Sequence, residues 1–422
     1  MVEITNFFKE HYLSKMKDNP ELFIGIELEY PIVNKEREQT SIKVAKDLME
    51  NLSSKEEFNV VKFGEDGCPI EIVSKEGDLI LFEVTYNTLE FAFAKARYIQ
   101  DIEKRFEVYL DQIQRFLGLY HHELQGVGIN PNWKLNDHRP VATGRYRMLM
   151  DYLKLSANYP HMHQYTDYAG FICGNQVQFD VSRKNYLRVL NAFNKIEAVK
   201  AYLFANSEFE DFADVTISRD YFWESSMHGL IEDNVGVYPE DFNTETDYLE
   251  FQKRTAMFYI ERNKGYYYFH PIRIKEYLKN KNITAYSATG KQIEFSPHTD
   301  DLKSHRSYHY QELTKRGTVE FRSICTQPFE STFAPAAFQL GLLVNLEKFE
   351  KILDETDFFD FFGRDYKHLR KQFSVKCLTK MEREILGKLS RELVACAKEG
   401  LKARGMSEEK YLLALAKATD NH

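Results

Sequence analysis

The sequence predicts an α+β fold, on three observations. Several short runs alternate apolar residues with polar ones. Longer runs repeat apolar residues at three- and four-residue steps, as helices that bury one face do. The polar positions of the short runs carry Glu, Gln and Arg but no Lys, which marks one sheet face as more than a solvated surface.

In chain order, the first strand is "ELFIGIELEYPIV", residues 21–33. It places Glu27 and Glu29 on one face and Ile26, Leu28 and Tyr30 on the other. In "LILFEVTYN", Leu81, Glu83, Thr85 and Asn87 lie opposite Phe82, Val84 and Tyr86. An amphipathic helix is predicted over 88–120, on Leu89, Phe93, Ala96, Ile99, Ile102, Phe106, Leu110, Ile113 and Leu117. Glu90 stands in its first turn, where the positive end of the helix dipole favours a carboxylate. "GNQVQFDV" sets Gln176, Gln178 and Asp180 against Val177, Phe179 and Val181. Ser182 is an N-cap for a helix through "RKNYLRVLNAFNKIEAVKAYLF". "GTVEFRSI" sets Glu320 and Arg322 against Val319 and Phe321. A further helix covers 334–353, and the C-terminal residues are helical. There Thr379 and Glu382 form a capping box, and Ser407 caps "EEKYLLALAKA".

A sheet of these strands packs its apolar face on the helices and leaves a polar floor of Glu27, Glu29, Glu83, Gln176, Gln178, Glu320 and Arg322. A solvated face is the plain reading of any one Glu-x-Glu pair. Carboxylates gathered without Lys across several strands favour a divalent cation between them. The role of Glu90 stays open between dipole partner and a further metal oxygen.

The chain of 422 residues shows no internal repeat, low-complexity tract or Pro/Gly/Ser linker. That favours one domain over 1–422 with a helical C-terminal segment from about residue 330. Aromatic residues at 14% imply a substantial core. A net charge of -8 argues against nucleic acid or an anionic membrane as partner. There is no signal-peptide pattern, and no apolar run approaches the ~20 residues a spanning helix needs. Cys68, Cys173, Cys325, Cys377 and Cys396 are scattered and without Cys-x-x-Cys spacing, which favours free thiols in a reducing cytoplasm over disulfides or zinc.

The motifs, taken in order, resemble the glutamate–cysteine ligases, carboxylate–amine ligases whose fold is related to glutamine synthetase. "GIELEY" is similar to the family's opening acidic strand and "LFEVTYNTLEF" to its next acidic segment. "GVGINPNW" resembles "GIGxxPxW", "TGRYRML" resembles "KxRYxxM", and "GNQVQFD" resembles "xVQVNxD". "ISRDYFW", "FYIERNKGYYYF", "DLKSH" and "VEFRS" have counterparts in the same order. The chain departs from the pattern at Phe171, where the family carries Arg, at Gln178, where it carries Asn, and in about eight extra residues between His305 and Glu320.

The resemblance implies a curved, mainly antiparallel sheet of about six strands with the active site in its concave face and helices outside. It implies ATP-dependent joining of the γ-carboxyl of L-glutamate to the amine of L-cysteine, through a γ-glutamyl phosphate. Mg²⁺ is the implied cation, with Mn²⁺ as a substitute, held by Glu27, Glu29, Glu83, Glu90, Gln176 and Glu320. Arg322 would face the transferring phosphoryl group, Arg219 the glutamate α-carboxylate, and Gln178 and Trp223 the amino-acid pocket. Arg145 would contact phosphate. A ligase using another amine and a catalytically silent binding protein of the same fold are the alternatives. The motifs do not fix the oligomeric state.

Overall fold

The computed structural model describes residues 2–415. In chain order its strands are β1 (Ile24–Asn34), β2 (Phe58–Phe63), β3 (Pro69–Ser74), β4 (Leu79–Phe82), β5 (Thr88–Ala92), β6 (His122–Leu124), β7 (Gly174–Asp180), β8 (Val235–Gly236), β9 (Ala256–Arg262), β10 (Gly265–Arg273), β11 (Ile283–Ser287), β12 (Gln292–Phe295), β13 (Tyr308–His309), β14 (Gln311–Leu313) and β15 (Thr318–Cys325). Nine form the main sheet, in the order β14-β15-β7-β1-β5-β4-β3-β2, with β6 on β1. Its pairings are antiparallel, so the α+β, antiparallel expectation holds, with nine strands rather than about six. Strands β9–β12 make a second antiparallel sheet, and β8 and β13 a short parallel pair.

Alternation decides which side is dry. Ile26, Leu28 and Tyr30 of β1, Val177 and Phe179 of β7, and Val319 and Phe321 of β15 are all buried. Helices cover them: Phe106 of the helix Ile99–Gly118 stacks on Tyr30 at 5.6 Å, and Phe193 of the helix Tyr186–Lys195 meets Phe321 at 4.5 Å. Behind these, the helices Ala334–Val344 and Lys380–Arg404 cross where Gly341 and Gly400 meet. A Cβ on either glycine would collide with backbone of the other helix, so the crossing needs both.

Five expected elements change. The 88–120 helix begins only at Ile99, and residues 88–92 are strand β5. Leu89, Phe93 and Ala96 keep helical spacing, but β1 and β4 offer this segment a hydrogen-bonding ladder on both sides, which a helix cannot use. Glu90 therefore lies on a strand, not at a helix mouth. The "LILFEVTYN" strand stops at Phe82 because the chain turns at once, with Val84 at φ +58° and the Glu83 N–H bonded to the Thr88 carbonyl. Ser182 donates to Asn185, and its helix starts at Tyr186 and breaks at Ile196 before resuming as Glu197–Phe204. The 334–353 helix breaks at Asn345. At the C-terminus the Thr379–Glu382 capping box forms as expected. Ser407 instead adopts φ +56° without a cap and leads into a 3₁₀ turn, Glu408–Leu412; residues 416–418 of that expected helix lie outside the described residues.

Candidate active site

The register of four neighbouring strands builds the floor. On β1, Glu27 pairs with Gln176 of β7, and Glu29 with Glu90 of β5. On β15, Glu320 pairs with Gln178 of β7. Directly opposed residues stand about 5 Å apart, so the side chains meet. The Gln178 amide donates to Glu27 at 3.1 Å and to Glu320 at 2.6 Å, and its oxygen accepts from Arg316 at 2.5 Å. Gln176 donates to Glu29 at 3.2 Å, and the Gly174 N–H donates to the other Glu29 oxygen at 2.6 Å. Glu320 also pairs with Arg322. Glu83 enters from the β4–β5 turn and accepts from Tyr146 at 2.8 Å.

Like charges crowd this face. Glu90 is pushed well above the usual carboxylate range by burial and then by Glu83, Glu27 and Glu29. Glu29 is pushed up to about 7 by burial, against the pull of Arg219. Glu27 is also raised by burial, with Arg322 and Arg316 opposing. Buried carboxylates that raise one another's proton affinity are an oxygen-rich donor set short of positive charge, which suits a hard divalent cation. Among the described residues no three acidic, imidazole or thiol groups are already clustered as metal ligands. Amide N–H groups and Arg322 occupy several of the carboxylate oxygens. Gln176 in particular turns its nitrogen toward Glu29, so ligation through its oxygen requires the amide to flip.

Two arginines border the floor. Arg219, on the helix Ser218–Glu224, is 5% exposed and donates to the Arg322 carbonyl at 2.9 Å. Its guanidinium lies against Gly174, where any Cβ would strike it. The Nε of Arg219 and the Nε of Arg322 are both buried without a partner. Unmet guanidinium donors beside an acidic floor suit an anionic ligand spanning both. Trp223, one turn beyond Arg219, packs on Tyr308 at 4.9 Å, and Tyr308 lies 6.0 Å below the Arg322 guanidinium.

Arg145 stands apart from the floor, on the exposed side of the helix Gly144–Leu153. Its guanidinium is 5.9 Å from the ring of Tyr146, which reaches Glu83. It lines a cavity of about 580 Å³ with Tyr259, Lys264, Tyr266, Arg306 and Lys315. His305 is buried and bonded to Thr255 and Tyr12, a structural arrangement.

The structure thus brings Glu27, Glu29, Glu83, Glu90, Gln176, Gln178, Glu320, Arg322 and Arg219 together, with Trp223 at one side and Arg145 at the rim. Sequence reasoning missed three contributors. Tyr146 sits inside the quoted "TGRYRML" run and was legible as the neighbour of Arg145. Arg316 and Tyr308 lie between His305 and Glu320, in the stretch lengthened by about eight residues, where no motif pointed at them.

The model of the glutamate-cysteine ligase family 2 matches residues 23–372. The chain is similar to the chloroplastic glutamate–cysteine ligase of Medicago truncatula, with 24% identity over 298 residues, 69% of this chain and 55% of that protein. It is likewise 24% identical over 294 residues to a chloroplastic glutamate–cysteine ligase of Oryza sativa subsp. indica, covering 68% of this chain and 56% of that one. The chain spans about half the length of the curated relatives it matches. Among solved structures, the glutamate–cysteine ligase of Francisella tularensis in complex with AMP aligns over 96% of this chain and 82% of its own, at 14% identity and a TM-score of 0.43. With 350 of its 422 residues inside the family model, the chain belongs to glutamate-cysteine ligase family 2.

Proposed function

We propose that this chain joins the γ-carboxyl of L-glutamate to the amine of L-cysteine at the expense of ATP, the first step of glutathione biosynthesis, acting as one catalytic domain. The observation that carries the reading is the pair of unmet guanidinium donors, on Arg219 and Arg322, beside a floor of mutually repelling buried carboxylates. A dianionic substrate and a triphosphate need both kinds of group: cations to screen them from each other, and arginines to hold the anionic ends.

Mg²⁺, with Mn²⁺ as a substitute, would be held by Glu27, Glu29, Glu83, Glu90, Gln176 and Glu320 and would neutralise phosphate charge during transfer. Arg219 presents a planar fork to the glutamate α-carboxylate. Trp223 and Gln178 bound the amino-acid pocket. Arg322, on the same strand as Glu320, faces the γ-phosphoryl group as a carboxylate oxygen attacks phosphorus and ADP leaves. The amine then attacks the acyl carbon, phosphate departs, and the amine's proton is lost. Arg145 and its cationic neighbours at the rim take the outer phosphates. The five unpaired thiols support a cytoplasmic setting.

One observation favours a second reading, a ligase for another amine. Phe171 is wholly buried against Trp133, Phe209 and Phe222, behind the helix that carries Arg219 and Trp223. An apolar ring where the family carries a guanidinium changes the pocket from behind.

Phosphate release with ATP, Mg²⁺ and L-glutamate, scanned over cysteine, 2-aminobutyrate, alanine and a bulky amine, separates the readings. Cysteine is expected to give the highest kcat/KM. A small apolar pocket separates cysteine from 2-aminobutyrate by only ~1–3 kcal/mol. Another amine preferred by more than an order of magnitude installs the second reading; no glutamate-dependent release with any amine removes both.

A further inference from the structure

Arg370 belongs to the helix Tyr366–Gln372, outside every motif that defines the floor, and is 2% exposed. Its guanidinium reaches three elements. It donates to Asp220 at 2.6 and 3.2 Å, to the Glu197 carboxylate at 2.5 Å and carbonyl at 2.9 Å, and to the Ser323 carbonyl at 3.0 Å. It also lies 4.6 Å over the ring of Tyr310. Asp220 follows Arg219 and Ser323 follows Arg322, so each substrate arginine has its chain neighbour held by the same guanidinium.

The backbone of β15 shows why that matters. Its pairing with β7 slips between Phe321 and Ile324, so Arg322 and Ser323 occupy an irregularity in the ladder. Such a bulge re-aims a side chain and leaves local carbonyls without ladder partners. Two arginine side chains take those carbonyls: Arg219 bonds that of Arg322, and Arg370 bonds that of Ser323. The Arg322 N–H in turn bonds the carbonyl of Tyr310, the residue under Arg370. Charge is balanced within the cluster, where Lys200 also pairs with Glu197.

We infer that Arg370 is a positioning residue for the reaction proposed above: it fixes the bulge that aims Arg322 and the helix turn that aims Arg219, and so sets both substrate arginines from the outer helical layer. The inference rests on the ligase reading, since it is through Arg219 and Arg322 that Arg370 acts.

The test compares Arg370→Lys and Asp220→Asn with the wild type, using steady-state kinetics and calorimetric titration with L-glutamate. Lys keeps the charge but donates from one point and cannot span Asp220, Glu197 and the Ser323 carbonyl. Arg370→Lys is expected to raise glutamate KM and lower kcat, for a loss in kcat/KM on the order of 100-fold, with the KM for ATP unchanged. Asp220→Asn leaves the Arg370 bond to the Ser323 carbonyl in place and acts first on the Arg219 side, so it should raise glutamate KM and Kd on the order of tenfold with a smaller effect on kcat. A folded Arg370→Lys enzyme with wild-type glutamate KM and kcat overturns the inference alone. Should that variant not fold, a folded Asp220→Asn enzyme with unchanged glutamate Kd overturns it. A wild type that neither binds nor turns over glutamate overturns the ligase reading, and this inference with it.

Discussion

Arg322 and Glu320 share one strand face, yet their roles separate under substitution. Arg322→Lys keeps the charge and loses the planar fork, so turnover should fall on the order of 100-fold or more while glutamate KM changes little. A raised KM at unaltered kcat would instead make Arg322 a substrate clamp. Glu27→Gln and Glu320→Gln remove charge from opposite sides of Gln178 and should each shift the Mg²⁺ dependence of activity to higher concentration. Metal titrations that superimpose on wild type in both variants contradict the assignment. At this scale the sequence was informative because strand alternation alone puts Glu27 with Glu29 and Glu320 with Arg322. It was silent on Arg370, whose partners Asp220, Glu197 and Ser323 are 150, 173 and 47 residues away.

The elements that position the floor depend on packing as much as on pattern. The 334–344 and 380–404 helices touch through Gly341 and Gly400. Gly400→Val forces them apart and should cost about 1–3 kcal/mol, read as a lowered urea midpoint at unchanged slope. An unaltered midpoint would show that the crossing can give way without loss. Strands β1, β7 and β15 were legible because each alternates cleanly and is flanked by turn residues. Strand β5 was not: Leu89, Phe93 and Ala96 satisfy a helical template, and what makes the segment extended is the hairpin with β4 together with pairing to β1, about sixty residues earlier in the chain, a contact that no local window contains. The helix breaks at Ile196 and Asn345 were hidden for a related reason. The apolar repeat runs through both, while the backbone turn needs only one residue.

Across the molecule, one apolar cluster joins residues from Ile4 to Leu415, tying the outer helices to the sheet beneath the site. Of the buried imidazoles, His228, His305 and His309 are each pushed down to about 3 chiefly by burial. An imidazole with a depressed folded value gives stability that is complete above its unfolded pKa near 6.5 and is lost as pH falls from there toward 3. The buried carboxylates with raised values act in the opposite sense, so a single variant isolates the effect. His305→Gln, which keeps partners for Thr255 and Tyr12, should narrow the stability difference between about pH 7.5 and pH 5.5; an unchanged difference assigns the acid sensitivity elsewhere. No helix among the described residues is long and apolar enough to cross a membrane. The central claim, that the floor activates a carboxylate with ATP, is tested most directly by isotope transfer. With L-glutamate labelled with ¹⁸O in its γ-carboxyl group, ATP and the amine acceptor, the oxygen that attacks phosphorus should leave with it, so the released phosphate should carry ¹⁸O from glutamate. Phosphate released without glutamate-derived ¹⁸O would contradict the account.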